Sequence, residues 1–210
     1  IGKSAYADDL CDKNTYQSPP SPSQLLAKHT QKKEQLNSLL ASTGIVQNTS
    51  KQETILTLKG AGSRIAYKAA QSSEDGHKIQ DMIKYLGVWL TYDGSSGPEI
   101  RARLNAAWKR WNIFKPVWYS QDVQFSVRMI VFKSLVLNTL IAALDAFCLS
   151  DSEQDRLTSF ICKRARALLL GKAHTIFKSD DGSEKHNSST NVDVLRKCKL
   201  LPVHLELCLR

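Results

Sequence analysis

The sequence predicts an α+β fold: a partial antiparallel sheet with one long packed helix over residues 1–93, followed by an all-helical bundle over 98–171. Three observations predict it. Apolar and polar residues alternate in "ETILTLKG" (53–60) and "DMIKYLGVWLTYD" (81–93), as in half-buried strands. Near Gly94 this period of two gives way to the 3.6-residue period of amphipathic helices. Charge also changes: of a formal +9 on 210 residues, residues 98–172 carry 12 Lys/Arg against 6 Asp/Glu. Charge concentrated in this way marks a basic subdomain rather than diffuse solubilising charge.

Taken in order, "SAYADDLCDK" (4–13) leads into the Pro/Ser-rich breaker "KNTYQSPPSPS" (13–23). Ser21 is placed to cap a helix with Pro22 at its first position. Leu25, Leu36, Leu39 and Leu40 fall on one face of it, and Gly44 is a natural stop. The strand at 53–60 sets Ile55 and Thr57 against Leu56 and Leu58. Residues 61–76, rich in Ala, Ser and Gly, read as a loop or weak hairpin. The β-like run at 81–93 is broken by Gly87.

Pro98 opens the first helix of the bundle, with a stripe of Ile100, Leu104, Trp108 or Ala107, Trp111, Phe114 and Trp118. A second, of about 25 residues from Asp122 to Phe147, is apolar nearly all round in its last half, as the buried centre of a bundle is. Ser150 and Glu153 form a capping box for a third, which buries Leu157, Phe160, Ile161 and Leu168 before Gly171 ends it. Residues 173–190 read as a polar linker. Asn191 can cap a short helix, and Pro202 starts another whose stripe is cut off at Arg210, as expected of a chain truncated at both ends.

Composition narrows the partners. A hydrophobic fraction of 42% and a charged fraction of 23% are ordinary for a globular protein. The net charge points to a polyanion or a membrane surface. No signal peptide opens the chain, and the most apolar run, Leu135–Leu149, contains Asn138 and Asp145 and is too short to span a bilayer. No membrane is expected, and the location is expected to be intracellular. Five cysteines, without a CxxC pair and odd in number, suit buried or free thiols in a reducing compartment.

Asp8 and Asp9 stand side by side, and adjacent carboxylates need water or a cation to screen them. A solvated turn is one reading. The other is a divalent-metal site, because hard cations take one or two carboxylates together with substrate phosphates.

The order of the boxes favours the metal. Tyr6-Ala7-Asp8-Asp9 comes first, then a helix. Gly44, Asn48, Lys51 and Glu53 follow in "GIVQNTSKQE", then Leu86-Gly87-Val88 in "KYLGVWL", then the basic helices. In this order they resemble the second half of a reverse transcriptase, specifically that of the non-long-terminal-repeat (LINE-type) retrotransposons. The resemblance implies that residues 1–97 are the C-terminal part of the palm, from catalytic hairpin to primer grip. It makes 98–172 the helical thumb and 191–210 the start of the segment after it. It further implies RNA-directed DNA polymerase activity by two-metal nucleotidyl transfer, with Mg²⁺ or Mn²⁺ as cofactor. RNA template, DNA primer and deoxynucleoside triphosphates would be the partners, and the nucleus the location of the intact protein.

Asp8 and Asp9 would then be the metal and catalytic carboxylates, and Lys51 would stand near the phosphates. Tyr6, Lys84, Leu86, Gly87, Lys109, Arg110, Lys163, Arg164 and Arg166 would contact nucleic acid. The family's further, upstream aspartate is absent from this sequence, so an incomplete metal site is expected of this chain alone. Two other readings keep their place: a non-catalytic nucleic-acid-binding module, and an inert fragment of a decayed element. Trp108, Trp111 and Trp118 could stack on bases but suit a core at helical spacing. "KRAR" (163–166) suits a solvated or phosphate-contacting helix face better than a targeting signal. Cys198, His204 and Cys208 do not match zinc spacing, and burial of both cysteines is expected.

Overall fold

The computed structural model describes residues 2–6, 9–13, 22–45, 48, 52–58, 63–72, 79–178 and 184–210, with side-chain surroundings from Gln24 onward except at 174–187. The chain is a mixed α+β protein, mostly helical, and divides into two compact units, Ile1–Ser95 and Ser96–Arg210.

In the first unit, β1 (Gly2–Tyr6) and β2 (Asp9–Lys13) pair antiparallel, with Tyr6 opposite Asp9. The first helix, α1 (Pro22–Ser42), starts at its proline and stops where Gly44 takes φ +82°. There Ile45 N–H reaches the Leu40 carbonyl and Gly44 N–H that of Ala41, each at 3.0 Å. This i−5 and i−3 pair is the usual way a left-handed residue closes a helix. Next come α2 (Ser63–Gln71), β3 (Met82–Tyr85) and β4 (Val88–Thr91), the two strands forming a second antiparallel hairpin. A small core joins Leu26, Tyr67, Ala70 and Ile79, with Leu56, Leu58 and Tyr92 packed on it. Tyr67 stacks on Tyr92 at 4.4 Å and donates its hydroxyl to Asp81 at 2.7 Å. Burial, with that bond, raises the phenol well above its ordinary range.

The second unit holds the larger core. Pro98 lies in the first turn of α3 (Gly97–Ile113), and α4 (Lys115–Tyr119) follows after one residue. A continuous apolar rod then runs through α5 (Phe125–Val131), a π-helical stretch (Phe132–Leu137) and α6 (Asn138–Ile141). The capping box of Ser150 and Glu153 starts α7 (Asp151–Leu168). A hairpin of β5 (His174–Lys178) and β6 (Glu184–Ser188) precedes α8 (Asn191–Lys197) and α9 (Val203–Cys208). Where α4, α7 and the rod meet, Trp118 is fully buried. It stacks on Trp111 with centroids 5.0 Å apart and donates its indole N–H to the Trp111 carbonyl at 2.7 Å. Phe132 sets its edge against both rings.

Several expectations are corrected. Among the described residues of 1–93, the strands form two separate two-stranded sheets, β1–β2 and β3–β4, rather than one partial sheet. Residues 53–58 are not a strand: a single parallel bridge, Thr54 to Ile79, is their one ladder contact among the described residues, while Leu56 and Leu58 go to the small core. Burial of those leucines outweighs the alternation that suggested a strand. The loop expected at 61–76 contains a helix, because "SRIAYKAAQ" is made largely of good helix formers and sets Tyr67 and Ala70 on one face. Leu39 is 60% exposed although it was expected on the packed face of α1. The cause is length: α2 spans nine residues against twenty-one in α1, so the small core takes only Leu26 from α1, in its first turns.

In the second unit the long helix runs from Phe125 to Ile141 rather than from Asp122 to Phe147, because Ala142 turns extended and Ala143 left-handed at φ 58°. The segment Phe125–Ala146, 22 residues with a mean hydropathy of 1.8, is nonetheless long and apolar enough to cross a membrane by length and composition, with 44% of its window buried. The expected linker at 173–190 holds the β5–β6 hairpin, in which Ile176 and Phe177 occur within "HTIFK". Thr190, not Asn191, caps α8, since its hydroxyl accepts from Asp193 N–H at 3.2 Å. Cys198 is buried as expected, but Cys208 is exposed.

Trp118→Phe removes the indole donor, leaves the Trp111 carbonyl without it and opens a void. The expected loss is about 1–3 kcal/mol in urea unfolding. A variant as stable as the parent would mean that the aromatic cluster is not a principal tie of this unit.

Candidate nucleic-acid interface

The expected contact residues fall into three groups. Asp8 and Lys51 lie outside the described residues, and of Tyr6 and Asp9 only the paired backbone is described. Gly44 closes α1 as above, and Asn48 and Glu53 are exposed. No group of three or more His, Cys, Asp or Glu side chains converges among the described residues. Asp81 is engaged by Tyr67, and Asp93 accepts the Ser95 N–H at 2.9 Å, which with Thr91 holds its carboxyl below the usual range.

The second group is the β3–β4 turn. Tyr85 pairs with Val88, leaving Leu86 and Gly87 as the two central residues at φ 48° and 81°. Two left-handed residues in succession make the tight hairpin turn whose twist suits paired strands. Glycine takes that conformation without strain, whereas a leucine held there costs about 1 kcal/mol. Leu86, Gly87 and Lys84 are all exposed, so the hairpin carries an apolar side chain and a glycine at its tip and a cation on β3.

The third group is the basic face of α3 and α7. Lys109, Arg110 and Lys163 are exposed. On α3 the stripe Ile100, Ala107 and Trp111 is buried, and Lys109 projects from the opposite side. On α7, Leu157, Ile161, Ala165 and Leu168 are buried, and Lys163 takes the far side. The other two arginines have structural partners. Arg164 lies over the rings of Trp111 and Phe160, at 5.4 and 5.0 Å, and burial lowers its pKa. Arg166 donates to the Ser189 carbonyl at 3.1 Å and to the Asn191 Oδ1 at 2.7 Å, tying α7 to the start of α8.

Sequence reasoning missed two residues that place this face. Arg128 is buried and donates to the carbonyls of Trp118 at 3.2 Å and Leu168 at 3.1 Å, so one cation joins the ends of α4 and α7. Carbonyls at helix C-termini attract a cation, and a buried guanidinium needs such partners. The available signal was a lone Arg inside the apolar "FSVRMIVF". The second is Ser96, buried just before α3, whose hydroxyl donates to Glu153 at the start of α7. No motif announces a pairing so distant in sequence. Ser96, then the Ser150 N–H and hydroxyl, hold the Glu153 carboxyl below its usual range.

No family model matches the chain, and neither the curated proteins nor the solved structures give a match.

Because Glu153 has a lowered pKa when folded, its contribution is present above the ordinary glutamate value of about 4.3 and is lost as pH falls through the folded value. Glu153→Gln should therefore lower the Tm most at neutral pH, by about 1 kcal/mol of stability, with the gap closing below about pH 4. Thermal melts from neutral to acid pH check this, and a gap independent of pH would show that the carboxylate charge plays no part.

Proposed function

We propose that the chain is the palm-end and thumb portion of an RNA-directed DNA polymerase of the non-long-terminal-repeat retrotransposon type, and that its second unit holds template–primer nucleic acid. The observation that carries this reading is the order of element types under the boxes. A hairpin flanks Asp8, a long helix follows, a tight turn presents Leu86 and Gly87, and a basic helical unit comes last. Each position suits its chemistry. A hairpin offers carboxylates from a rigid frame, an exposed turn with bare backbone admits a close strand, and outward cations neutralise phosphates. Bound Mg²⁺ or Mn²⁺ would activate the primer hydroxyl and steady the leaving pyrophosphate. Asp8 and Asp9 are the residues of this chain proposed to hold it, together with a carboxylate from outside the sequence. Lys51 is proposed to lie near the triphosphate.

A non-catalytic binding module is the second reading, which the outward Lys109, Arg110 and Lys163 would serve without any metal site. Both readings require the basic face to bind. Duplex titrations over a range of salt should give a log–log slope on the order of −4 to −5, about −0.9 per phosphate contact. Changing Lys109, Arg110 and Lys163 together to Ala should flatten it by about three units and leave the fold intact. Arg166→Ala should instead lower stability, because its donors are already engaged within the unit. Salt-independent affinity, or a triple variant that binds like the parent, would show that the face serves only solubility.

A further inference from the structure

Three tryptophans stand within eleven residues of one another, and the structure separates them. Trp111 and Trp118 are core, whereas Trp108 is 52% exposed. A single exposed ring is ordinary; its surroundings are not. Arg101, Asn105, Trp108 and Asn112 are spaced i, i+4, i+7 and i+11 along α3, which places them on one face, with Lys109 adjoining. Arg101, Asn105 and Lys109 are exposed and Asn112 is half-buried. From Ile100 to Gln121 the chain has no Asp or Glu, and the one carboxylate of α3, Glu99, is buried against Arg103. The face therefore offers two cations, two amides and one exposed indole, with no exposed carboxylate on α3 beside them.

That composition selects a partner. A lipid surface needs a contiguous apolar face, but the apolar stripe of α3 is committed to the core. A duplex needs only cations, because its bases stack on each other. An unpaired strand presents phosphates and open π-faces together, and these are what cations around an exposed indole bind. We infer that this face of α3 binds single-stranded nucleic acid, with a base stacked on Trp108 and flanking phosphates held by Arg101 and Lys109. The inference rests on the nucleic-acid reading above and names the form of strand that this part of the unit takes.

The test uses the full chain and three probes at one low salt concentration: an oligothymidylate of about 12 nucleotides, a DNA duplex, and inorganic polyphosphate. Trp108→Ala should weaken the oligothymidylate about tenfold and leave the other two within about twofold. Trp108→Phe should keep most of the affinity, and Arg101→Ala with Lys109→Ala should weaken all three. Circular dichroism checks that each variant keeps its helices, as an exposed site predicts. A Trp108→Ala chain that binds the oligothymidylate like the parent overturns the stacking but leaves salt-dependent duplex binding, and the reading above, in place. A parent that binds none of the three removes both. A parent that prefers the duplex or polyphosphate to the oligothymidylate assigns the face to another partner and overturns the inference.

Discussion

Trp118 has no exposed surface, stacks on Trp111 and donates its indole N–H to the Trp111 carbonyl seven positions earlier. The bond and the stack together set the turn from α3 into α4. The same residue's own carbonyl is taken by Arg128, whose guanidinium also holds the carbonyl of Leu168 at the far end of α7. One aromatic cluster and one buried cation thus connect α3, α4, α5 and α7. A buried tryptophan contributes large apolar area, and its N–H requires a partner in exchange for lost water. The structure meets that requirement locally, so the packing of four helices depends on a few atoms.

This arrangement changes how the charge of the second unit is understood. Counting residues assigns every Lys and Arg of 98–172 equally to a polyanion. In the structure Arg103 pairs with Glu99, Arg128 is internal, Arg164 lies on aromatic rings and Arg166 bridges to Ser189 and Asn191. Lys133 and Lys197, likewise, donate to the backbone carbonyls of Lys199 and Lys172. The cations left to meet solvent on α3 and α7 are Arg101, Lys109, Arg110, Arg156 and Lys163. Five of the twelve cations of 98–172 are thus engaged within the unit, and those residues hold the helices on which the outward ones stand.

The sequence made much of the second unit legible because local rules and packing agree there. Pro98 in the first turn, the Ser150–Glu153 box and the stripe through Ile100 and Trp111 all lie where periodicity and capping put them. The choice between Ala107 and Trp108 could not be made from spacing, since both suit the stripe within half a turn; close packing against the rod admits the small residue and leaves the large one in water. The first unit was less legible. Alternation in 53–58 resembles a strand, yet a strand needs a partner, and among the described residues only Thr54 finds one. The hairpin at 174–188 was hidden by its polar composition, which resembles a loop when no alternation marks a buried face. Of the candidate site, the Leu86–Gly87 turn and the basic helices could be anticipated, while the partners that hold Arg164 and Arg166 depend on tertiary contacts that no local pattern encodes.

On the proposed reading, outward cations of α3 and α7, rather than the charge of the unit as a whole, meet nucleic acid. Lysine reactivity measured by mass spectrometry, with and without a primed template, tests it most directly. Lys109 and Lys163 should lose reactivity toward an acylating reagent on binding, while Lys133 and Lys197, already held by backbone carbonyls, stay unchanged. Protection spread evenly over all four, or none at Lys109 and Lys163, would contradict it.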